Sequence, residues 1–277
     1  MKNLMSLLIA IVFGLTAFGQ TYNESDVAAL ISIRNANPGS ALVTEWANEE
    51  LIHASTLITW EGEPKRVTAL YLDNKSLSTL DASGLSALKI LSCTGNTISS
   101  LKVAGLANLQ NLWCEKNQIT LLDLSGLSNL TFLSCGINSI STLDVSNLTK
   151  LDYLYCHENL LTTLDVSMLP NLVTFNCEIN QISTIRLNES THYSTLAYRW
   201  NNLPFSQLAF PEQGTSYYYS PQNKVFNEIH HDNPGTPIDY SAEASIGGVA
   251  TSFTWYRNGD IIMGTDQSGI FAPSEIG

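Results

Sequence analysis

Five cysteines fall at positions 93, 114, 135, 156 and 177, each 21 residues after the last. Three residues beyond each stands an asparagine: Asn96, Asn117, Asn138, Asn159 and Asn180. A fixed period near 20 residues specifies a stack of similar units that share one continuous core, because no single unit can bury its apolar face alone. The chain is thereby committed to a solenoid. Stacks of this kind offer long surfaces to other molecules and seldom carry chemistry themselves.

The unit at residues 88–108 reads Leu88-x-x-Leu91-x-Cys93-x-x-Asn96-x-Ile98-x-x-Leu101-x-Val103-x-x-Leu106. Later units begin at Leu109, Leu130, Leu151, Leu172 and Tyr193. An earlier one begins at Val67, with Leu72 in the cysteine slot and Lys75 in the asparagine slot, which makes seven units in phase. Leu91 and Cys93 alternate at period 2, so they face one side of a short strand that pairs in parallel with its neighbours. At about 4.8 Å per strand the stack is roughly 30 Å long. The asparagine stands where the chain turns inward, and its amide both donates and accepts, so a stacked row can satisfy buried backbone groups. Leu101-x-Val103 predicts a second short extended step on the outer side. The ends depart from the pattern: Tyr198 replaces the last cysteine although Asn201 and Leu203 persist, and Ser190 and Ser206 replace leucines. Atypical terminal units close an end off from water.

This pattern resembles the leucine-rich repeat family, L-x-x-L-x-L-x-x-N/C-x-L. The 21-residue period and the Leu-Asp-Val-Ser step at residues 143–146 and 164–167 are most similar to the short bacterial type, related to the internalin repeats. The resemblance covers about residues 67–205, half the chain. It implies an α/β, β-rich solenoid: a right-handed horseshoe of about seven 21-residue units with a parallel concave sheet, residues 67–210. In the bacterial relatives such modules serve adhesion or contact with host surfaces.

Residues 20–66 read as an N-terminal cap. Ser25 can cap a helix in which Val27, Leu30 and Ile31 share a face, ending near Asn37-Pro38-Gly39. A second helical stretch follows with Leu42, Trp46 and Leu51 on it. The segment is similar to the helical cap of plant-type leucine-rich repeats, without that version's cysteine pair. Beyond the repeats, residues 211–236 are rich in Pro, Gly, Ser, Tyr and Asn and read as a linker or irregular cap. Alternation at residues 238–244 and 251–256, with a turn at Arg257-Asn258-Gly259-Asp260, looks like the opening strands of an immunoglobulin-like sandwich with Trp255 as its core tryptophan. Residues 237–277 are too few for the roughly 100 that a sandwich takes, so a partial β-sandwich is expected, in a chain that is a fragment of a longer reading frame.

Residues 1–19 read as a secretory signal: Lys2 opens it, residues 4–18 are apolar, and Ala17-Phe18-Gly19 has the small-x-small cleavage form. An apolar run of about 15 residues is short for a membrane span. The expected mature protein is extracellular, secreted or on the cell surface, and does not span a membrane. A formal charge of −12 argues against nucleic acid and anionic lipid as partners. Five cysteines in an exported chain ordinarily suggest disulfides. Here all occupy one inward slot, which reads as a ladder of buried thiols instead. A row spaced along a stack does not converge as metal ligands must, and neither a metal nor a cofactor is expected.

No catalytic constellation stands out. His230-His231-Asp232 lies beside Asn233-Pro234-Gly235 and reads as a solvated loop. His157-Glu158 lacks the second histidine of a zinc-protease helix, and no phosphate-cradling glycine loop or nucleophile elbow is present. Asp81, Asp123, Asp144 and Asp165 form a row on the outer side. Calcium bridging would offset their repulsion; capping of the turn that follows each is the simpler reading.

The variable slots lie on the concave face. One row holds Ala69, Ile90, Asn111, Phe132, Tyr153, Thr174 and Thr195; a second holds Tyr71, Ser92, Trp113, Ser134, Tyr155, Asn176 and Ala197; a third holds Asp73, Thr94, Glu115, Gly136, His157, Glu178 and Arg199. Trp113, Phe132, Tyr153 and Tyr155 mark its middle, ringed by Glu115, Lys116, His157, Glu158 and Glu178. Aromatics rimmed by charge suggest an interaction patch, although aromatics also favour strands and pack across them. The expected binding residues are therefore Tyr71, Trp113, Glu115, Phe132, Tyr153, Tyr155, His157, Glu178 and Arg199. The expected partner is a protein, of a host or cell surface; stacking of planar rings on a glycan is the alternative, and a targeting arm for a longer extracellular enzyme is a third.

Overall fold

The computed structural model describes residues 20–188 and 190–203, and beyond them only short strands between residues 216 and 271. The 1–19 leader and His230-His231-Asp232 lie outside the described residues.

The repeat folds as its period dictates. Each unit contributes one three-residue strand to a long sheet: β2 (Arg66–Tyr71, longer than the rest), β4 (Ile90–Ser92), β6 (Asn111–Trp113), β7 (Phe132–Ser134), β8 (Tyr153–Tyr155), β10 (Thr174–Asn176) and β12 (Thr195–Ala197). Neighbours pair in parallel, each residue opposite the one 21 positions on, as with Leu112 and Leu133. The sheet is closed at one end by an antiparallel strand, β1 (Ile58–Glu61), and extended at the other by β13 (Ser216–Tyr218), parallel to β12. That last strand falls within residues 211–236, the stretch read as a linker or irregular cap. On the outer side, β3 (Thr79–Asp81) pairs with β5 (Ser100–Lys102), and β9 (Thr163–Asp165) with β11 (Thr184–Arg186). The two turns between them lack strand pairing at this step, so the outer extended step is intermittent.

Inside, the slots form columns. Leu70, Leu91, Leu112, Leu133, Leu154, Phe175 and Leu196 are buried, as are all five cysteines and Tyr198 in the last cysteine slot. Each buried leucine contributes about 1.5–3 kcal/mol by leaving water. Burial pushes every cysteine thiol up, that of Cys135 to about 12, so the ladder holds neutral thiols.

The asparagine row joins the turns. Asn138 Nδ2 donates to the Cys114 and Cys135 carbonyls at 3.0 and 3.1 Å, and its Oδ1 accepts the Ile119 amide at 3.0 Å. Asn96, Asn117, Asn159, Asn180 and Asn201 repeat the pattern. Every asparagine thus grips the turn before its own. The first unit has no repeat turn before it to grip, and Lys75 in that slot sends its Nζ outward to Glu45 at 2.7 Å. A second, exposed row was not recognised in the sequence: Asn108, Asn129 and Asn171 donate to the carbonyls of Ser86, Ala107 and Thr149.

Three helices precede the sheet: α1 (Glu24–Ala36), α2 (Leu42–Glu45) and α3 (Glu49–His53). The cap of α1 is Asn23, which accepts from the Asp26 amide, and not Ser25, which lies inside the helix and donates its hydroxyl to Asn23. Asparagine at that position is as good a cap as serine and stands one residue ahead of the helix. The second helical stretch is broken: Trp46 ends α2 and Asn48 caps α3 anew. As a consequence Leu51 faces solvent at 43% exposure, and Ile52 takes the core position expected of it. Two polar residues seat the helices. Asp26, fully buried, accepts both Nε and Nη2 of Arg66 at 2.9 Å and the Val67 amide at 2.8 Å. Asn37 accepts the Ser78 amide and donates to the carbonyls of Ile33 and Thr79, tying the end of α1 to β3.

Near the C-terminus, Phe253–Arg257 and Asp260–Asp266 pair as an antiparallel hairpin, and Ile238–Asp239 pairs with Ile270–Phe271. The side chain of Trp255 and the rest of the immunoglobulin-like expectation lie outside the described residues.

Candidate interaction surface on the long sheet

The side of the long sheet turned away from the core carries the variable slots. Its middle holds one ring cluster centred on Phe132: Trp113 lies 4.8 Å away, Tyr155 5.6 Å and Tyr153 5.8 Å, centroid to centroid. Register explains the spacing. In the second row, large and small residues alternate from Tyr71 to Asn176, so Ser92 and Ser134 separate rings that would otherwise stand one strand apart. The rings in turn cover the serines, and Ser134 is only 2% exposed. Its hydroxyl donates to Glu115, which sits in the third row beside it. The phenol of Tyr155 is pushed up by burial among these rings and by the nearby Tyr153 and Glu115.

The structure does not bring every expected site residue together. Tyr71, 38% exposed, makes no ring contact with the cluster. Glu178 and Arg199 form an ion pair with each other, and the Glu178 carboxylate is mostly covered. The rim is therefore less acidic than the sequence suggested, with Glu158 as its exposed carboxylate. His157 lies over Gly136. A Cβ on that glycine would meet the imidazole at 2.5 Å, so the small residue is what lets the ring lie flat across the neighbouring strand. The Nδ1 of His157 is buried there without a hydrogen-bond partner.

One feature of this face left no mark in the spacing of apolar residues. Where each strand ends, the residue before the ladder slot adopts a left-handed conformation: Asn74 before Lys75, and Gly95, Lys116, Ile137, Glu158, Ile179 and Trp200 before asparagines, with φ from 51° to 71°. The conformation aims the carbonyl at the ladder. Those of Ile137, Glu158, Ile179 and Trp200 accept the amides of Asn117, Asn138, Asn159 and Asn180 at 3.1–3.2 Å. Asparagine and glycine suit the geometry, and at Gly95 an added Cβ would strike Asn74 Oδ1 at 2.3 Å. For a β-branched or bulky residue it costs about 1–2 kcal/mol. Ile179 and Trp200 are nonetheless there, and both are exposed.

On the outer side the aspartate row caps turns. Asp81, Asp123, Asp144 and Asp165 accept the amides of Ser83, Ser125, Ser146 and Ser167 at 2.9–3.1 Å. Hydrogen bonds from the hydroxyls and amides of these serines hold all four carboxyls below the usual range. No cluster of potential metal ligands occurs among the described residues. No described helix is long and apolar enough to cross a membrane.

An in-register parallel sheet, a buried thiol column and an asparagine ladder together decide the architecture. The fold is a leucine-rich repeat solenoid. No family model and no curated relative matches the chain. Among solved structures, it is similar to the functional domain of InlJ from Listeria monocytogenes, described as including a cysteine ladder, at 29% identity over 53% of this chain and 37% of that one, TM-score 0.43. It is also similar to internalin C2 of the same organism, at 34% identity over 43% of this chain and 60% of that one, TM-score 0.33. The ectodomain of the receptor kinase SOBIR1 from Arabidopsis thaliana shares 22% identity over 60% of this chain and 98% of that one, TM-score 0.47. The chain spans well under half of the InlJ domain.

Proposed function

We propose that this chain is a recognition module, exported and displayed outside the cell, that binds a partner protein on the open face of its long sheet. Trp113, Phe132, Tyr153 and Tyr155 serve as anchors. The observation that carries this is the ring cluster itself: four aromatic side chains share one patch on a sheet whose backbone is fixed turn by turn by the asparagine ladder. Large rings on a rigid platform lose little freedom on binding, and such anchors dominate protein interfaces. Adhesion to a host or cell surface is the use that the likeness to internalin-type repeats favours.

The test is capture of extracellular and cell-surface proteins by wild type and by a Trp113→Asp, Tyr155→Asp double variant. Both side chains stand partly exposed off the sheet, so the variant keeps its fold. Partners retained by wild type and lost by the variant support the assignment. Equal capture by both overturns it. Loss of capture on adding glycans, with proteins treated to remove their sugars no longer held, moves the assignment to carbohydrate.

A further inference from the structure

The carboxylates in the third row of the open face are satisfied in different ways. Asp73 accepts the Ser92 hydroxyl and the Thr94 amide. Glu178 pairs with Arg199, which holds the same slot one strand on. Glu115 has no such cation: one strand on stands Gly136, and His157 follows. No ion pair to Glu115 forms among the described residues, neither from His157 nor from Lys116 next to it. What fixes its half-buried side chain is Ser134, itself 2% exposed, whose hydroxyl donates to one carboxylate oxygen. The other oxygen has no hydrogen-bond partner among the described residues. Rings stand on two sides of it. Trp113 precedes it by two residues on β6 and so shares its side of the strand. Tyr155 on β8 lies close enough for the carboxylate to act on its phenol.

We infer that Glu115, between Trp113 and Tyr155, seats an arginine side chain of the partner protein, which takes at Glu115 the place that Arg199 takes at Glu178. The inference rests on reading the sheet as a protein-recognition face and names the chemistry that face selects. A carboxylate drawn partly out of water is stabilised by a paired ion. Aromatic faces attract a cation within about 6 Å. A guanidinium meets both demands at once, because its planar fork bonds a carboxylate while its face stacks on a ring. A lysine offers a point charge and no plane. The surroundings favour the same sign. On β6, β7, β8 and the residues flanking them, Glu115, Asp152 and Glu158 stand against Lys116 alone, in a chain of net charge −12. An acidic segment would meet repulsion there.

The experiment pans a phage-displayed library of random dodecapeptides on the full chain, then measures synthetic copies of the enriched peptides by fluorescence anisotropy. Each peptide is also made with citrulline, which keeps the shape of arginine without its charge, and with lysine. Four proteins are compared: wild type, Glu115→Gln, Trp113→Asp with Tyr155→Asp, and Glu50→Gln, which removes one exposed charge on α3. Glu115→Gln keeps an acceptor for the Ser134 hydroxyl, so the fold survives it. Enriched peptides should share an arginine. Citrulline should weaken binding to wild type about tenfold, and Glu115→Gln should weaken the arginine peptide by about as much. On Glu115→Gln the citrulline exchange should cost little more, as two groups in contact require. Lysine should bind less tightly than arginine, and Glu50→Gln as wild type does. Equal losses for Glu50→Gln and Glu115→Gln reduce the effect to net charge and overturn the inference. So do a citrulline loss that persists in full on Glu115→Gln, lysine as good as arginine, peptides enriched without arginine, or panning that enriches nothing. Where peptides without arginine still lose binding on the ring variant, the recognition face stands without its arginine seat. Binding untouched by the ring variant overturns both.

Discussion

At the scale of single residues, the ladder asparagines tie each turn to the one before it through directed bonds that no apolar side chain can make. Replacing Asn138 with alanine leaves the buried Ile119 amide without its acceptor and takes one of two asparagine donors from each of the Cys114 and Cys135 carbonyls. Leaving buried polar groups unpaired costs about 1–3 kcal/mol each. Asn138→Ala should therefore lower the unfolding free energy by about 1–3 kcal/mol in urea titration, while a serine at the exposed Asn108 should cost well under half of that. The thiols make a second expectation. Full burial and a thiol pushed to about 12 at Cys135 leave no thiolate to react. Iodoacetamide at pH 8 should label none of the five cysteines in the folded repeats and all of them in urea, read by intact mass. These residues were legible because each recurs in phase. The left-handed column was not: its conformation is fixed by backbone hydrogen bonds, and its residue types, from glycine to tryptophan, follow no pattern.

At the scale of elements, the helices on the N-terminal side and the first strands form one joint. Its centre is aromatic: Tyr22 stacks on His53 at 3.7 Å, and Trp60 meets both rings edge-on. Burial pushes the His53 imidazole below its ordinary value, against an opposing pull from Glu49. The folded protein therefore binds fewer protons at this site than the unfolded chain does. The stability that follows is complete above the unfolded value of about 6.5 and is lost as pH falls through the lower folded value. Thermal melts from pH 7.5 to 5 should show Tm falling in wild type and falling less in His53→Phe, which keeps a neutral ring against Tyr22. A steeper fall should begin only near pH 4 in both, where the turn-capping aspartates protonate. The helices themselves were legible from apolar spacing. Their seating was not, because Asp26 with Arg66 and Asn37 with Ser78 join residues about 40 positions apart, and no local pattern records such a pair.

At the scale of the whole molecule, stability runs along one dimension, since each turn touches only its neighbours. A lesion in the middle and the same lesion at an end then differ in kind. Asn201→Ala should fray only the last turn and leave the main urea transition in place. Asn138→Ala should weaken the coupling between halves, which a reduced m-value or a second transition in circular dichroism would register. The period made this architecture plain from the sequence, and the strand added by residues 216–218 was hidden because it carries the long sheet on without the repeat's own residues. The ladder also has a direction. Each asparagine reaches back to the turn before its own, so the Ile119 amide finds its acceptor only once Asn138 of the next turn is in place. A chain leaving a ribosome or a membrane pore amino end first can close turn after turn as each asparagine arrives, with the helices already seated as the foundation. Emerging in the opposite order, each asparagine would hold out its amide oxygen until the turn it grips had been made.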